Sequence, residues 1–421
     1  MLLSFSVTNF RSIRDRQTLS MKRSGDGTVS RLAIDEELAG GDVSPVAVVV
    51  GANASGKSTL LEAMTVARSI VRSSALREAS RPWPYEGFLL GTDARDRPTS
   101  YEFWFTTAGE EYRYSFSIQD GLVASEKLTE TAQGATRKTT KTLFDRTGDK
   151  IVASSALRGP KKKIIDATRK NSLFVSKAAQ ENFKALLDVY DWLVGPSTLD
   201  QRGDAGIAML ESEPGYRDWI LNLLVQADIG VTDLSVEQRQ PPHHLVAQYA
   251  RSDDPDEMAR AEQRLIRSWQ RPQLLHHSEA DDAPIPWNRE SAGTQSLWEL
   301  ASDIYRALGT GSPLSVDELG SLHPLLIREI LRSFQTKRIN PRGAQLIFTS
   351  HDVTLLGNWG GDGYMIDRDQ IVVAEKDYES GVTSFIRLAD FRPRKDEDIE
   401  KWYLQGRYGG VPTIGKLFDT E

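Results

Sequence analysis

The chain has 421 residues with 59 acidic against 52 basic side chains, a net charge of −7 and no cysteine. The acidic balance supplies no global field for nucleic acid, and the missing cysteines exclude disulfides, thiolate metal sites and thiol nucleophiles. No apolar run reaches the roughly 18–20 residues of a membrane span, and 39% hydrophobic with 26% charged residues is the balance of a soluble globular protein, so a cytoplasmic one without a membrane is expected.

In chain order, residues 1–7 alternate like a strand and lack the basic region and apolar core of a signal peptide. Residues 2–8 read as an edge strand followed by Asn9-Phe-Arg-Ser-Ile13, where pattern alone makes Arg11 a solvated strand-end residue. Residues 18–34 look extended, with a turn at Gly25-Asp26-Gly27. A buried strand over 46–50 leads through a glycine-rich loop into an apolar helix from Leu60 to about Ala75. A meander of alternating strands occupies 99–129, with Gly109 and Gly121 in its turns. A local basic excess follows over 134–170, including Arg137, Lys138, Lys161, Lys162 and Lys163; a solvated loop or a phosphate-backbone contact both fit it.

Residues 173–175 read as a short buried strand, and Ser176-Lys-Ala-Ala-Gln180-Glu-Asn182 opens a helix. From there to about His277 the pattern is helical, clearest over 216–227 and 255–269 and broken at Pro241-Pro242, without a sustained heptad repeat. The pairs His243-His244 and His276-His277 read as surface histidines, because neighbours on a helix face different ways. Ser291 caps a helix over 295–308. A strand over 314–316 ends in Asp317-Glu318, and another over 345–350 ends in His351. Strands over 364–367 and 371–375, a charged helix over 395–404 and a glycine-rich stretch over 406–415 complete the chain.

The chemistry centres on Gly51-Ala-Asn-Ala-Ser-Gly-Lys-Ser58 between strand and helix, the G-x-x-x-x-G-K-S phosphate-binding loop. Gly51 and Gly56 let backbone N–H groups turn inward onto an anion at a helix N-terminus, where the dipole favours negative charge. Lys57 reaches the β- and γ-phosphates, Ser58 holds Mg²⁺, and Asn53 and Thr59 flank the nucleotide. Asp317 fits the second Mg²⁺ position, Glu318 fits the base that deprotonates the attacking water, and His351 ends the next strand beside the γ-phosphate. ATP with Mg²⁺ is the expected substrate–cofactor pair; residue pattern alone does not separate ATP from GTP.

The order of these pieces resembles the ABC-type ATPase heads of the SMC and RecF group, and within it the bacterial abortive-infection ATPases called AbiLi or RloA and the ATPase of the PARIS anti-phage system. The resembling pieces are Asn9–Ile13, the phosphate loop, Ser176–Asn182, Ser291-Ala-Gly-Thr294, Asp317-Glu318 with Leu322-His-Pro324, Thr349-Ser-His351 and the terminal 406–415 stretch. The resemblance implies an α/β ABC-ATPase head: a P-loop sheet, an antiparallel β layer and an inserted helical lobe. A nucleotide-binding core of 1–180 and 292–421, with the layer at 99–129, would enclose a lobe of 181–291.

It further implies an ATP sandwich, in which Ser291, Gly293 and Thr294 cap the γ-phosphate held by the other protomer of a homodimer or larger homo-oligomer. Gln180 would then sense Mg²⁺ and water, and Arg11 would contact nucleotide phosphate. The function so implied is a nucleotide-dependent switch in anti-phage defence controlling a separately encoded nuclease or toxin. The alternatives are an ATP-assembled scaffold that sequesters such a toxic partner, with hydrolysis incidental, and a RecF-like DNA-repair ATPase contacting nucleic acid.

Overall fold

The structure, a computed structural model, describes the chain except residues 24–42, 92–95, 133–138, 196–204, 228, 243–244, 246–254, 280, 360–362, 395–396 and 413–421. The extended reading of 18–34, the pair His243-His244, and Arg137 with Lys138 therefore fall wholly or partly outside the described residues. Two compact units form, one of residues 1–197, 310–320 and 328–421, the other of 198–309 and 321–327. These breaks do not coincide with the expected ones at 180 and 291. Leu186, Val189 and Leu193 of the helix Lys184–Val194 are buried in the first unit's core, which carries that unit beyond residue 180.

The strands in chain order are β1 (Leu2–Thr8), β2 (Gln17–Ser20), β3 (Val46–Val50), β4 (Thr99–Thr107), β5 (Glu110–Gln119), β6 (Leu122–Thr131), β7 (Thr140–Thr147), β8 (Lys150–Ala153), β9 (Val231–Glu237), β10 (Arg271–His276), β11 (Ala283–Ile285), β12 (Pro313–Val316), β13 (Gln345–Ser350), β14 (Ile371–Lys376) and β15 (Thr383–Arg387). In the first unit, one sheet has the order β12-β13-β3-β14-β15; its first four strands are parallel and β15 is antiparallel. All five residues of β3 are buried, as a central parallel strand requires. The second sheet is an antiparallel meander, β2-β1-β4-β5-β6-β7-β8. The fold class is thus α/β with a P-loop sheet and a separate antiparallel layer.

The meander's alternation has a physical target. Tyr101, Phe103 and Phe105 of β4 are buried, and Phe105 stacks on Trp192 with ring centroids 3.9 Å apart. β1 is not an edge strand: it lies between β2 and β4, which accounts for six buried residues in a row. Gln345 at the head of β13 joins the two sheets, its amide accepting from Leu2 N at 2.6 Å and donating to Leu2 O at 2.9 Å.

Other expectations change. Residues 173–175 are not a strand; a helix, Phe174–Gln180, begins there because the buried Glu126 carboxylate accepts from Phe174 N at 2.6 Å and Val175 N at 3.0 Å. A carboxylate at a helix start satisfies orphan N–H groups and suits the dipole, and here it overrides the local β pattern. Residues 364–367 also fail to form a strand, since Asp367 caps the short 3-10 helix Arg368–Gln370. The final helix is shorter, Ile399–Leu404.

The second unit holds the helices Ala205–Ser212, Tyr216–Gln226, Pro255–Trp269 and Ala292–Thr310. It is not wholly helical: β9, β10 and β11 make a three-stranded antiparallel sheet. Tyr216, Trp219 and Tyr305 form its aromatic cluster, with Tyr305 at 5.1 Å from each of the other two. Among the described residues no helix is long and apolar enough to cross a membrane.

Candidate functional site

β3 delivers the chain into the glycine-rich loop, and helix α1 (Lys57–Ser73) leaves it. Gly56 sits at φ +96°, and a Cβ there would fall 2.5 Å from Thr383 Oγ1 and 2.9 Å from Ser12 Oγ. A Cβ on Gly51 would fall 2.4 Å from the Ala374 carbonyl oxygen. The loop is therefore wedged against β14 and β15, and no side chain fits either glycine position. Thr383 clamps it: its N–H donates to Ser12 O at 2.8 Å, and its hydroxyl lies 2.9 Å from both Ser55 O and Ser12 Oγ. Helix α1 has no side-chain cap and no acid in its first turn, so nothing at its N-terminus opposes the binding of an anion.

Lys57 is buried, and its ammonium donates to the carbonyls of Gly51 and Ala52, both at 2.9 Å, and to His351 Nδ1 at 3.2 Å. Burial lowers its pKa from the usual lysine value, and the charges of Glu318 and Asp317 oppose that shift. Those carboxylates are near because β13 lies between β3 and β12, in registers pairing Ser350 with Val50 and Phe348 with Val316. Three strand ends thus deliver Lys57, His351 and Asp317-Glu318 to one edge of the sheet. His351 Nε2 lies 3.6 Å from Glu318 Oε1, while Thr349 Oγ1 is 2.8 Å from Asp317 Oδ1 and 2.8 Å from Glu318 N.

This donor set fits a nucleotide with Mg²⁺. A hydroxyl at the helix start, Ser58, and one carboxylate, Asp317, are the few protein ligands that Mg²⁺ takes when phosphates and waters complete its octahedron. The half-exposed Glu318 is open to solvent, as a group that meets a water must be. Asn53 is exposed on the loop, and Thr59 is half-buried in the first turn of α1.

Not every expected residue joins them. Arg11 is held by Glu62 and Glu86, the latter at 3.2 Å, two carboxylates that oppose a second anion there. Gln180 is not drawn to the loop: its side chain accepts from Lys177 of its own helix, which is anchored by Ser176 Oγ donating to Val71 O near the far end of α1. At 1.5 Å per residue, Val71 lies about 21 Å along the axis from Lys57. In the second unit, Ser291 Oγ accepts from Thr294 N at 3.0 Å and pairs with Thr294 Oγ1 at 2.8 Å, an N-cap for the helix Ala292–Thr310 with Gly293 in its first turn. His276 pairs with Glu290 at 2.9 Å and His277 with Asp282 at 3.2 Å, and no metal-binding cluster exists among the described residues.

Three contributors escape a reading of the sequence. Ser12 and Thr349 sit inside the motifs Asn9–Ile13 and Thr349-Ser-His351 but have no role of their own in them. Thr383, 327 residues beyond Gly56, carries no local signal at all.

A family model described as "AAA domain, putative AbiEii toxin, Type IV TA system" matches residues 46–357. No curated protein matches the chain. Among solved structures, an Smc head bound to the C-terminal winged-helix domain of ScpA is similar at a TM-score of 0.44 and 13% identity, covering 91% of this chain and 97% of that one. A Pyrococcus furiosus Smc head with an extended coiled coil bound to the C-terminal domain of ScpA follows at 0.37 and 11%, covering 91% and 95%. At that level of likeness the fold stands on the strand order itself.

Proposed function

The chain belongs to this AAA-domain family, and on that premise we propose that it binds and hydrolyses ATP as a nucleotide-dependent switch in anti-phage defence, acting on a separately encoded effector. The observation that carries the reading is the line Lys57–His351–Glu318 across three adjacent strand ends at a phosphate loop. Lys57 and the N–H groups of the loop and α1 bind the phosphates, with Asn53 and Thr59 alongside. Ser58 and Asp317 hold Mg²⁺, whose charge offsets that of the phosphate oxygens. Glu318 takes a proton from water as the water oxygen bonds to the γ-phosphorus and the bond to the ADP oxygen breaks; His351 donates to the γ-phosphate oxygens.

The first unit serves as the nucleotide-binding core. In a homodimer, Ser291, Gly293 and Thr294 of one protomer cap the γ-phosphate held by its partner, as in the ABC-type heads and the AbiLi, RloA and PARIS ATPases that the motif order resembles. The family's description as a toxin of a toxin–antitoxin system supports a defence role.

The test is ATP hydrolysis against protein concentration, with mass determined alongside, for wild type, Glu318→Gln and Ser291→Arg. Specific activity that rises with concentration and disappears in both variants is expected. Activity proportional to concentration in a stable monomer, untouched by Ser291→Arg, would overturn the two-protomer site. Phage plaquing on cells carrying wild type or Glu318→Gln tests the defence role, and equal plaquing on both and on empty cells would remove it.

A further inference from the structure

We propose that Thr349 is a positioning residue for both site carboxylates: its single hydroxyl, reaching across from β13, sets Asp317 and Glu318 at once. The inference rests on the reading of those two residues given above. A hydroxyl has one proton and two lone pairs. An ionised Asp317 only accepts, so the proton is directed to its Oδ1 at 2.8 Å. The Glu318 N–H only donates, so it takes a lone pair of the same oxygen, also at 2.8 Å. Both bonds are fixed in direction by the partners' chemistry.

Three further observations assign the hydroxyl to this task. Thr349 is 1% exposed, so water has little access to replace it. The β12–β13 register pairs Phe348 with Val316, which brings Thr349 opposite Asp317, two residues before His351. Glu318 stands at φ +59°, a left-handed conformation that non-glycine residues seldom adopt. Its bond to Thr349 holds the N–H inward in that conformation, which leaves the carboxylate turned out toward His351. The Glu318 side chain itself is 57% exposed, so its aim comes from the backbone rather than from packing.

Thr349→Val keeps the shape and removes the hydroxyl; Thr349→Ala removes it without overfilling; Thr349→Ser keeps it. Both hydroxyl-free variants should lose about 10- to 100-fold in kcat with little change in KM for ATP, and should weaken Mn²⁺ binding by a similar factor when Mn²⁺ is titrated by EPR in the presence of ADP. Thr349→Ser should restore most of both. Wild-type kcat and Mn²⁺ affinity in Val and Ala would overturn the proposal. So would a Ser variant that melts like wild type yet falls as far as Val, which would assign Thr349 a packing role alone. Asp317→Asn and Glu318→Gln are run beside them: if those two hydrolyse ATP normally, the parent reading fails; if they are dead while Val and Ala are active, only Thr349 does.

Discussion

Two glutamates of the same unit show how one side chain is put to opposite uses. Glu126 in the meander is fully buried, and its carboxylate accepts from Phe174 N, Val175 N and Tyr114 OH, the last at 2.9 Å, with Arg146 Nη1 at 3.9 Å. Arg146 is itself held by the carbonyls of Gly148, Ser172 and Lys170. Glu318 is half exposed, and the Nε2 of His351 lies 3.6 Å from its carboxylate. The buried carboxylate of Glu126, with three hydrogen bonds accepted and no access to solvent, holds backbone in place and is closed to a ligand. The open one contributes little to holding the fold and is free to meet a water. Burial and partners, rather than residue type, separate an acid that holds structure from one open to chemistry.

The comparison can be broken by experiment. The largest effect should come from Glu318→Gln, which removes the proposed proton acceptor: kcat should fall by about 10²- to 10⁴-fold while unfolding stability stays within about 0.5 kcal/mol of wild type. A large stability loss in urea titration would show that Glu318 also holds the fold. Glu126→Ala should do the reverse, costing about 3–5 kcal/mol because three donors and a buried guanidinium lose their acceptor. Hydrolysis per folded molecule should be near normal; slow hydrolysis in a stable Glu126→Ala protein would erase the distinction.

A subtler effect concerns pH. Burial pushes the Glu126 carboxyl above its ordinary 4.5, against the hydrogen bonds it accepts. Its folded state therefore keeps a proton that the unfolded chain releases. The associated stability is complete below about 4.5 and is lost as pH rises through the higher folded value. Measured against Glu126→Gln, wild-type stability should decline between acid and neutral pH; a difference that grows with pH would mean the hydrogen bonds outweigh burial. The smallest effect belongs to an exposed pair on the same layer, Lys127 with Asp145 at 2.7 Å. Lys127→Ala should cost less than about 1 kcal/mol, and less still in high salt, as thermal melts would show.

Much of the site was legible because its pieces are local. Gly51, Gly56, Lys57 and Ser58 announce themselves by their spacing within one short loop, and Asp317, Glu318 and His351 each follow an apolar run that reads as a strand. Ser291 was legible as an N-cap for the same reason. Gln180 misled because a motif match says nothing of where its helix docks. The meander's alternation announced its strands, but not that β1 would lie inside the sheet rather than at its edge. The stretch 173–175 reads as β by its own residues and becomes helix only because Glu126, some 48 residues earlier, supplies the cap.

By itself, then, the sequence determined the strand–loop–helix and the types of side chain at the strand ends, since steric and hydrogen-bond preferences over a few residues suffice for these. Tertiary structure alone decided the strand order β12-β13-β3, which brings Lys57, His351 and Glu318 within reach of one another. It alone decided the clamp of Thr383 and Ser12 on the loop and the bridge of Thr349 between two carboxylates. Those contacts join residues 31 to 371 positions apart, and their partners are selected by which faces of the sheets are buried together, a property no local pattern contains.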